Sequence, residues 1–236
     1  MMIPNLYKKI KDAGFLITEN MAKSLDDYAS LLVSWNEKMN LTAITEPEEI
    51  LTKHFLDSLY GTKFIGGNES LIDVGTGAGF PSVPLKILNP EIHLTLLDSL
   101  NKRLNFLNEV ASSLELANVK TIHSRAEDGG AKKSPLREKY DVATSRAMAQ
   151  LNVLAEYCLP YIKVGGTFLA YKGPDVKDEL KNAKNSIKVL GGEVSEIFEY
   201  KIFGTDITHS IVVIKKVKPT PPEYPRLQGK IQKNPL

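Results

Sequence analysis

In the opening part of the chain, apolar residues recur at the spacing of one helix face. Pro4, then Leu6, Tyr7, Ile10 and Ala13, then Gly14 show the proline-first, glycine-last order of a short helix. Leu25, Tyr28, Leu32, Trp35 and Met39 form one stripe on a longer helix. Thr45 and Glu48 have the spacing of a capping box, Pro47 suits a first turn, and Ile50, Leu51, His54 and Phe55 make an inward face. Residues 1–66 therefore read as a helical extension, ending at the turn-forming Gly66–Asn68. From Leu71 the pattern changes to short apolar runs at Leu71–Val74, Leu94–Leu97, Val119–Ile122, Asp141–Thr144, Thr167–Tyr171 and Ile211–Ile214. Helix-length stretches such as Lys102–Leu116 and Asp175–Leu190 lie between them. Repeated strand–helix–strand units predict an α/β domain over 67–218, a mainly parallel sheet with helices on both faces. Ligands in such sheets bind beyond the carboxyl ends of the strands. The proline-rich remainder, 219–236, reads as an extended arm.

Composition narrows the class. The 236 residues are 42% hydrophobic and 25% charged, values of an ordinary globular protein rather than a disordered or fibrous one. The single cysteine, Cys158, cannot form an internal disulfide or a multi-thiolate metal site. No apolar run reaches the ~18 residues of a membrane span, and the first residues lack the core of a signal peptide, so a cytoplasmic protein is expected. Net charge is +2 but unevenly spread: −3 over 1–70, zero over 71–200 and +5 over 201–236. A basic end permits contact with a polyanion without demanding it.

The most informative segment is LIDVGTGAGFPSVPL, where Gly75, Gly77 and Gly79 follow the first strand. Glycines at that bend allow a sharp turn and close approach of backbone to a ligand. A dinucleotide fingerprint would place its third glycine where Phe80 stands, and a P-loop lysine is missing, so the spacing points to the D-x-G-x-G-x-G loop of S-adenosylmethionine (SAM) enzymes. Asp98 ends HLTLLD at the expected tip of the second strand, where a carboxylate accepts from ribose hydroxyls or, alternatively, caps the next helix. After the third strand come Ala126 and Glu127, an acid that either meets an adenine amino group or stays exposed. Arg146 ends the fourth strand, suited to clamp a carboxylate or phosphate or to sit in an ordinary salt bridge. Lys172–Gly173 holds a comparable rim position.

Together these segments resemble the bacterial ribosomal RNA small subunit methyltransferase G (RsmG/GidB) family. The resemblance runs over nearly the whole chain, through WNEKMNLTAITEPEEILTKHFLDSL, DVGTGAGFPSVPL, LLDSLNKRLNFL, SRAED, SRAMA and YPRLQGKIQKNPL. It implies a Rossmann-like, class I SAM-dependent methyltransferase that modifies N-7 of one guanine in 16S rRNA, in the small ribosomal subunit or an assembly intermediate. It places cofactor binding on Gly75, Phe80, Ala126, Glu127 and Arg146, and Asp98 matches the ribose-binding acid of the wider fold. With Gly77 of the loop these make the expected site. A monomer is expected, since no interface stripe stands out.

That chemistry demands little of the side chains. Guanine N-7 carries a lone pair and no proton, so in-line displacement on an activated methyl group needs orientation, which is worth up to ~7–11 kcal/mol, and no general base or covalent nucleophile. Accordingly no catalytic residue is assigned, beyond Arg146 as a positioning group. The four histidines, His54, His93, His123 and His209, are scattered, so no metal is expected. His54 either faces the cleft or packs in its helix, Cys158 reads as a buried packing residue, and Phe80 is placed to lie against the sulfonium. Lys102, Arg103, Arg125, Lys132, Lys133, Arg137, Lys139, Arg226, Lys230 and Lys233 are candidate phosphate contacts. A methyltransferase for another RNA, a protein or a small molecule, and a non-catalytic ribosome-binding module, remain the alternatives.

Overall fold

The alternation of apolar runs resolves into a seven-stranded sheet in a computed structural model of the chain, which describes residues 2–174, 176–227 and 229–236. In chain order the elements are α1 (Leu6–Asp12), α2 (Glu19–Met39), α3 (Pro47–Glu49), a π-helical segment (Ile50–Leu56), α4 (Asp57–Leu59) and a 3-10 turn (Tyr60–Phe64). There follow β1 (Ser70–Val74), α5 (Ser82–Leu88), β2 (His93–Asp98), α6 (Asn101–Ser113), β3 (Val119–His123), α7 (Ala126–Gly129) and β4 (Tyr140–Arg146). The chain then forms α8 (Leu151–Cys158), a 3-10 turn (Leu159–Tyr161), β5 (Ile162–Lys172), α9 (Val176–Val189), β6 (Gly192–Lys201), β7 (Thr208–Lys216) and α10 (Lys230–Lys233). The sheet order is β3-β2-β1-β4-β5-β7-β6, with β1 to β5 parallel and β7 antiparallel to both its neighbours. Strand order reverses between β1 and β4, which puts the crevice for a ligand beyond their carboxyl ends.

The period-two alternation of the strands sorts the core onto the two faces of the sheet. Leu71, Leu94, Leu96, Val142, Leu169, Ile211 and Val213 point to one face and pack against α2, the π-helical segment, α5 and α6. Ile72, Val74, Ala143, Phe168, Ala170, Val212 and Ile214 point to the other and pack against α8 and α9. The helices of 1–66 thus share a hydrophobic core with the sheet. Leu25, Tyr28 and Leu32 of α2 are fully buried, and the Tyr28 ring lies against Phe55, Phe80 and Phe106. Its hydroxyl donates to the Ala78 carbonyl, so α2 fastens the glycine loop from outside the sheet.

Local readings differ from the structure in three places. The Thr45–Glu48 capping box does not form: α3 starts at Pro47 with Glu46 as an extended N-cap, no side chain caps it, and Glu48 pairs with Lys9 instead. Strand β6 is absent from the apolar runs because it is an edge strand with a largely exposed, charged sequence, GEVSEIFEYK. The tail does not extend freely: Thr220 and Ile231 are buried, and Arg226 pairs with Glu156. Its prolines favour extended backbone, but apolar and cationic side chains at intervals give that backbone places to dock. Asp175, the expected start of α9, lies outside the described residues.

Candidate functional site

Beyond the carboxyl ends of the strands the structure has two neighbouring cavities. The first, of about 290 Å³, is lined by residues that follow β1, β2 and β3, by Met148 and Tyr157, and by Gly229 and Gln232 of the tail. Gly75 turns the chain at the end of β1 with φ +72°, and its amide donates to the Leu97 carbonyl. A Cβ there would lie 2.1 Å from Met148 Sδ, so only glycine lets that side chain close against the loop. Gly77, also left-handed at φ +60°, faces open space and donates its amide to Asp98 Oδ2 at 3.0 Å. Asp98 is buried, and its Oδ1 accepts the Leu100 amide at 2.8 Å, so this carboxylate both shapes the loop and steadies the entry to α6. Arg103 reaches Oδ2 at 3.3 Å. A carboxylate offers about four acceptor positions, which leaves capacity for a ligand hydroxyl. Glu127 is buried in α7 beside Ala126, and both line this cavity.

Of the expected cofactor residues, Gly75, Asp98, Ala126 and Glu127 line this cavity, whereas Gly77, Phe80 and Arg146 do not. The Phe80 ring, 7% exposed, stacks on His54 with centroids 4.2 Å apart and lies 5.2 Å from the Arg146 guanidinium carbon. The cation it meets inside the protein is therefore Arg146, and the ring does not line the first cavity. Arg146 itself lines the second cavity, of about 460 Å³, with Lys53, His54, Asp57, Tyr171, Lys172, Glu179 and His209 among its neighbours. It donates to Asp57 Oδ2 at 2.7 Å, to the Lys53 carbonyl at 3.2 Å and to His54 Nδ1 at 3.1 Å. Since a guanidinium only donates, His54 Nδ1 is the acceptor and Nε2 carries the proton toward Thr42 Oγ1, 3.0 Å away. Burial and the Arg146 charge hold the imidazole neutral, with its pKa pushed down to about 3.

Asp57 is the hub of this second cavity. Its Oδ1 accepts the Tyr200 hydroxyl and His209 Nδ1, each at 2.8 Å, while Oδ2 takes Arg146. Burial alone would raise the carboxyl's pKa, but the His209 bond, the Arg146 charge and the Tyr200 bond outweigh it, and the net shift is downward. Lys172 bridges Glu179 at 2.6 Å and the Ala149 carbonyl at 3.0 Å. Asp57 with Arg146 and His209, and Lys172 with Glu179, are thus paired across this wall, and the π-helical segment holds Lys53 and His54 beside them. Such segments recur at functional sites because an extra residue re-aims the side chains of a turn.

The profile of the family described as rRNA small subunit methyltransferase G matches residues 21–206 of the chain. The chain belongs to this family. A Clostridium perfringens ribosomal RNA small subunit methyltransferase G is 52% identical over 235 residues, 98% of each chain. The Alkaliphilus oremlandii protein of the same name is 54% identical over 222 residues, 93% of this chain and 92% of its own. Among solved structures, a SAM-dependent O-methyltransferase from Thermotoga maritima has a TM-score of 0.53 at 14% identity, covering 80% of this chain and 72% of that one. TYW2 of M. jannaschii, in complex with AdoMet, has a TM-score of 0.54 at 13% identity, covering 68% and 75%. Those distant likenesses show the fold alone: this rRNA small subunit methyltransferase G family member has a Rossmann-like methyltransferase architecture.

Within the family frame, the residues hidden from the sequence are Met148, Tyr157, Gly229 and Gln232 of the first cavity and Asp57 and His209 of the second. The charged HFLDSL segment beside His54 was the available signal for Asp57. A further group is the acid of the glycine motif, Asp73. It is fully buried, accepts from Thr76 and Ser82 on Oδ2, and its Oδ1 has no partner among the described residues. Burial is the main cause that pushes its pKa up to about 7, against the hydrogen bonds from Ser82 and Thr76. Between the ordinary 3.8 and that value the folded chain holds a proton that the unfolded chain has released, so stability falls as pH rises through that window. At about 1.4 kcal/mol per pKa unit the full decline is roughly 4 kcal/mol. Thermal melting of the ligand-free protein at pH 5 and pH 8 checks this: Asp73→Asn is expected to remove most of the decline.

Proposed function

We propose that the chain transfers a methyl group from SAM to N-7 of a specific guanine in 16S rRNA, with the first cavity as the donor site and the second as the acceptor site. The residues fit the donor. Gly75 and Gly77 offer backbone without side chains, Asp98 keeps acceptor capacity for one ribose hydroxyl, and Ala126–Glu127 wall the adenine side. When bound, SAM supplies an activated methyl on a sulfonium. The protein's own task is to hold the acceptor base in line with it, for which Arg146, bound to Asp57 and to the Lys53 carbonyl, acts as a positioning residue.

Membership of the rRNA small subunit methyltransferase G family carries the choice of acceptor. Around the second cavity, Asp57 is taken by Arg146, Tyr200 and His209, Glu179 by Lys172, and His54 is neutral with both ring nitrogens engaged. Asp57, Glu179 and His54 are thus engaged, whereas His209 bonds Asp57 through Nδ1 alone, so guanine N-7, a ring nitrogen that needs no base, is chosen on the family and not on the lack of a base in this cavity. Small ribosomal subunits, free rRNA and protein, offered in turn with labelled SAM, test the reading. Label in rRNA that is cleaved by chemistry specific for 7-methylguanosine supports it, and label in protein, or in no acceptor, overturns it.

The acceptor is proposed to be 16S rRNA within the small subunit or an assembly intermediate, met by a cytoplasmic monomer. Of the ten cationic candidates, Arg137 and Arg226 are used inside the protein, whereas Lys102, Lys132, Lys133, Lys139, Lys230 and Lys233 are exposed. Phosphate contacts by such groups release counterions, so methyl transfer to rRNA is expected to fall steeply between low and moderate salt. SAM binding, measured by calorimetry over the same range, should barely move; equal salt slopes for the two would contradict a phosphate-dominated surface.

A further inference from the structure

After β7 the chain does not leave the protein but crosses toward the first cavity, held at each step to elements that line it. Arg137, in the loop after α7, donates to the carbonyls of Thr220, Pro221 and Tyr224, and also to that of Gly130 next to α7. Arg226 then makes a two-pronged pair with Glu156 of α8: Nη2 meets Oε2 at 2.6 Å, Nε meets Oε1 at 2.9 Å, and the Arg226 amide donates to Oε1 at 2.7 Å. The Glu156 side chain is 1% exposed, so this pair is an internal anchor rather than a surface bridge. Ile231 is fully buried in the core formed with α8 and α9. Next to the anchor on α8 stands Tyr157, which receives a hydrogen-bond contact from Gln232. Tyr157, Gly229 and Gln232 all line the cavity, together with Asp98 and Ala126–Glu127.

We infer that the docked C-terminal segment is part of the donor-binding site: Gly229 and Gln232 complete the wall of the SAM cavity, and the buried Glu156–Arg226 pair holds them there. This rests on the SAM reading of that cavity. A carboxamide offers a donor and an acceptor side by side, the pair of functions that an adenine edge accepts. Gly229, at φ +80° with nothing within 4 Å of a Cβ position, brings bare backbone to the rim. Because α8 carries both the Glu156 anchor and the cavity-lining Tyr157, tail docking and donor binding strengthen each other, and the coupling is reciprocal.

Three measurements on the full-length chain test this: SAM affinity by calorimetry, melting temperature, and trypsin cleavage after Arg226, Lys230 and Lys233 as SAM is raised. The variants are Gln232→Ala, which leaves the anchor intact, and Glu156→Gln combined with Arg226→Gln, which releases the tail without stranding a buried charge. Both are expected to weaken SAM binding about five- to tenfold, with the Gln232→Ala melting temperature unchanged. In the wild-type chain SAM should slow cleavage of the tail, and in the release variant it should not. If the release variant fails to fold, Gln232→Ala and SAM protection of the wild-type tail decide. Variants that bind SAM as tightly as the wild type, or lose rRNA affinity alone, overturn the inference while the donor site stands. A wild-type chain that takes up no SAM overturns the donor site itself.

Discussion

Replacing Asp98 with alanine is expected to weaken SAM binding by about 100-fold, or about 2.7 kcal/mol. The carboxylate has two roles that fail together. It offers its one remaining acceptor position to a ribose hydroxyl, and a bond to an ionised acceptor contributes about 1.5–3 kcal/mol. It also fixes the Gly77 amide at 3.0 Å and the Leu100 amide at 2.8 Å, so its loss frees the loop that must approach the ligand. Asp98→Asn, which keeps the shape and one acceptor oxygen, should fall between wild type and alanine. Calorimetric titration with SAM is the check. An alanine variant that binds as the wild type does would remove the ribose role and leave Asp98 a loop brace only.

The second large effect is on stability. Asp57→Ala removes the carboxylate that holds Arg146, Tyr200 and His209, and Arg146 is then left 14% exposed without its counter-charge. Breaking such a buried pair from one side costs about 3–5 kcal/mol, because the remaining charge stays desolvated. For a chain of this size that is a fall of about 6–20 °C in melting temperature. The pH dependence gives a second readout. A carboxyl whose folded pKa is lowered contributes stability that is complete above its unfolded value and is lost as pH falls through the folded one. Wild-type stability should therefore carry an acid-limb loss, below about pH 4, that Asp57→Ala lacks. Equal melting temperatures for the two proteins at pH 7 would mean that Arg146 finds another partner.

Arg146 shows how the second cavity depends on the extension. Asp57 and His54 come from the helical segments before the sheet, while Arg146 comes from β4, 89 residues away from Asp57. Phe80 packs between these parts, its ring against His54 and near the guanidinium. The helices of 1–66 therefore supply one wall of the proposed acceptor site in addition to core packing.

What could be read in the sequence was local. The turn-forming glycines, the run into α5, the alternation that sorts Leu71 from Ile72, and Asp98 at a strand tip depend on backbone conformations and near neighbours, which the residue types themselves restrict. Edge strand β6 escaped because an edge needs no continuous apolar run. What only the tertiary structure decided was pairing across long separations: Arg146 with Asp57, Phe80 with His54, and Arg226 of the tail with Glu156, 70 residues earlier. An arginine or a proline-rich tail carries the same chemistry whether it meets solvent, RNA or a buried carboxylate. Which of these it meets is set by the order of the strands and by the elements that this order brings together at one end of the sheet.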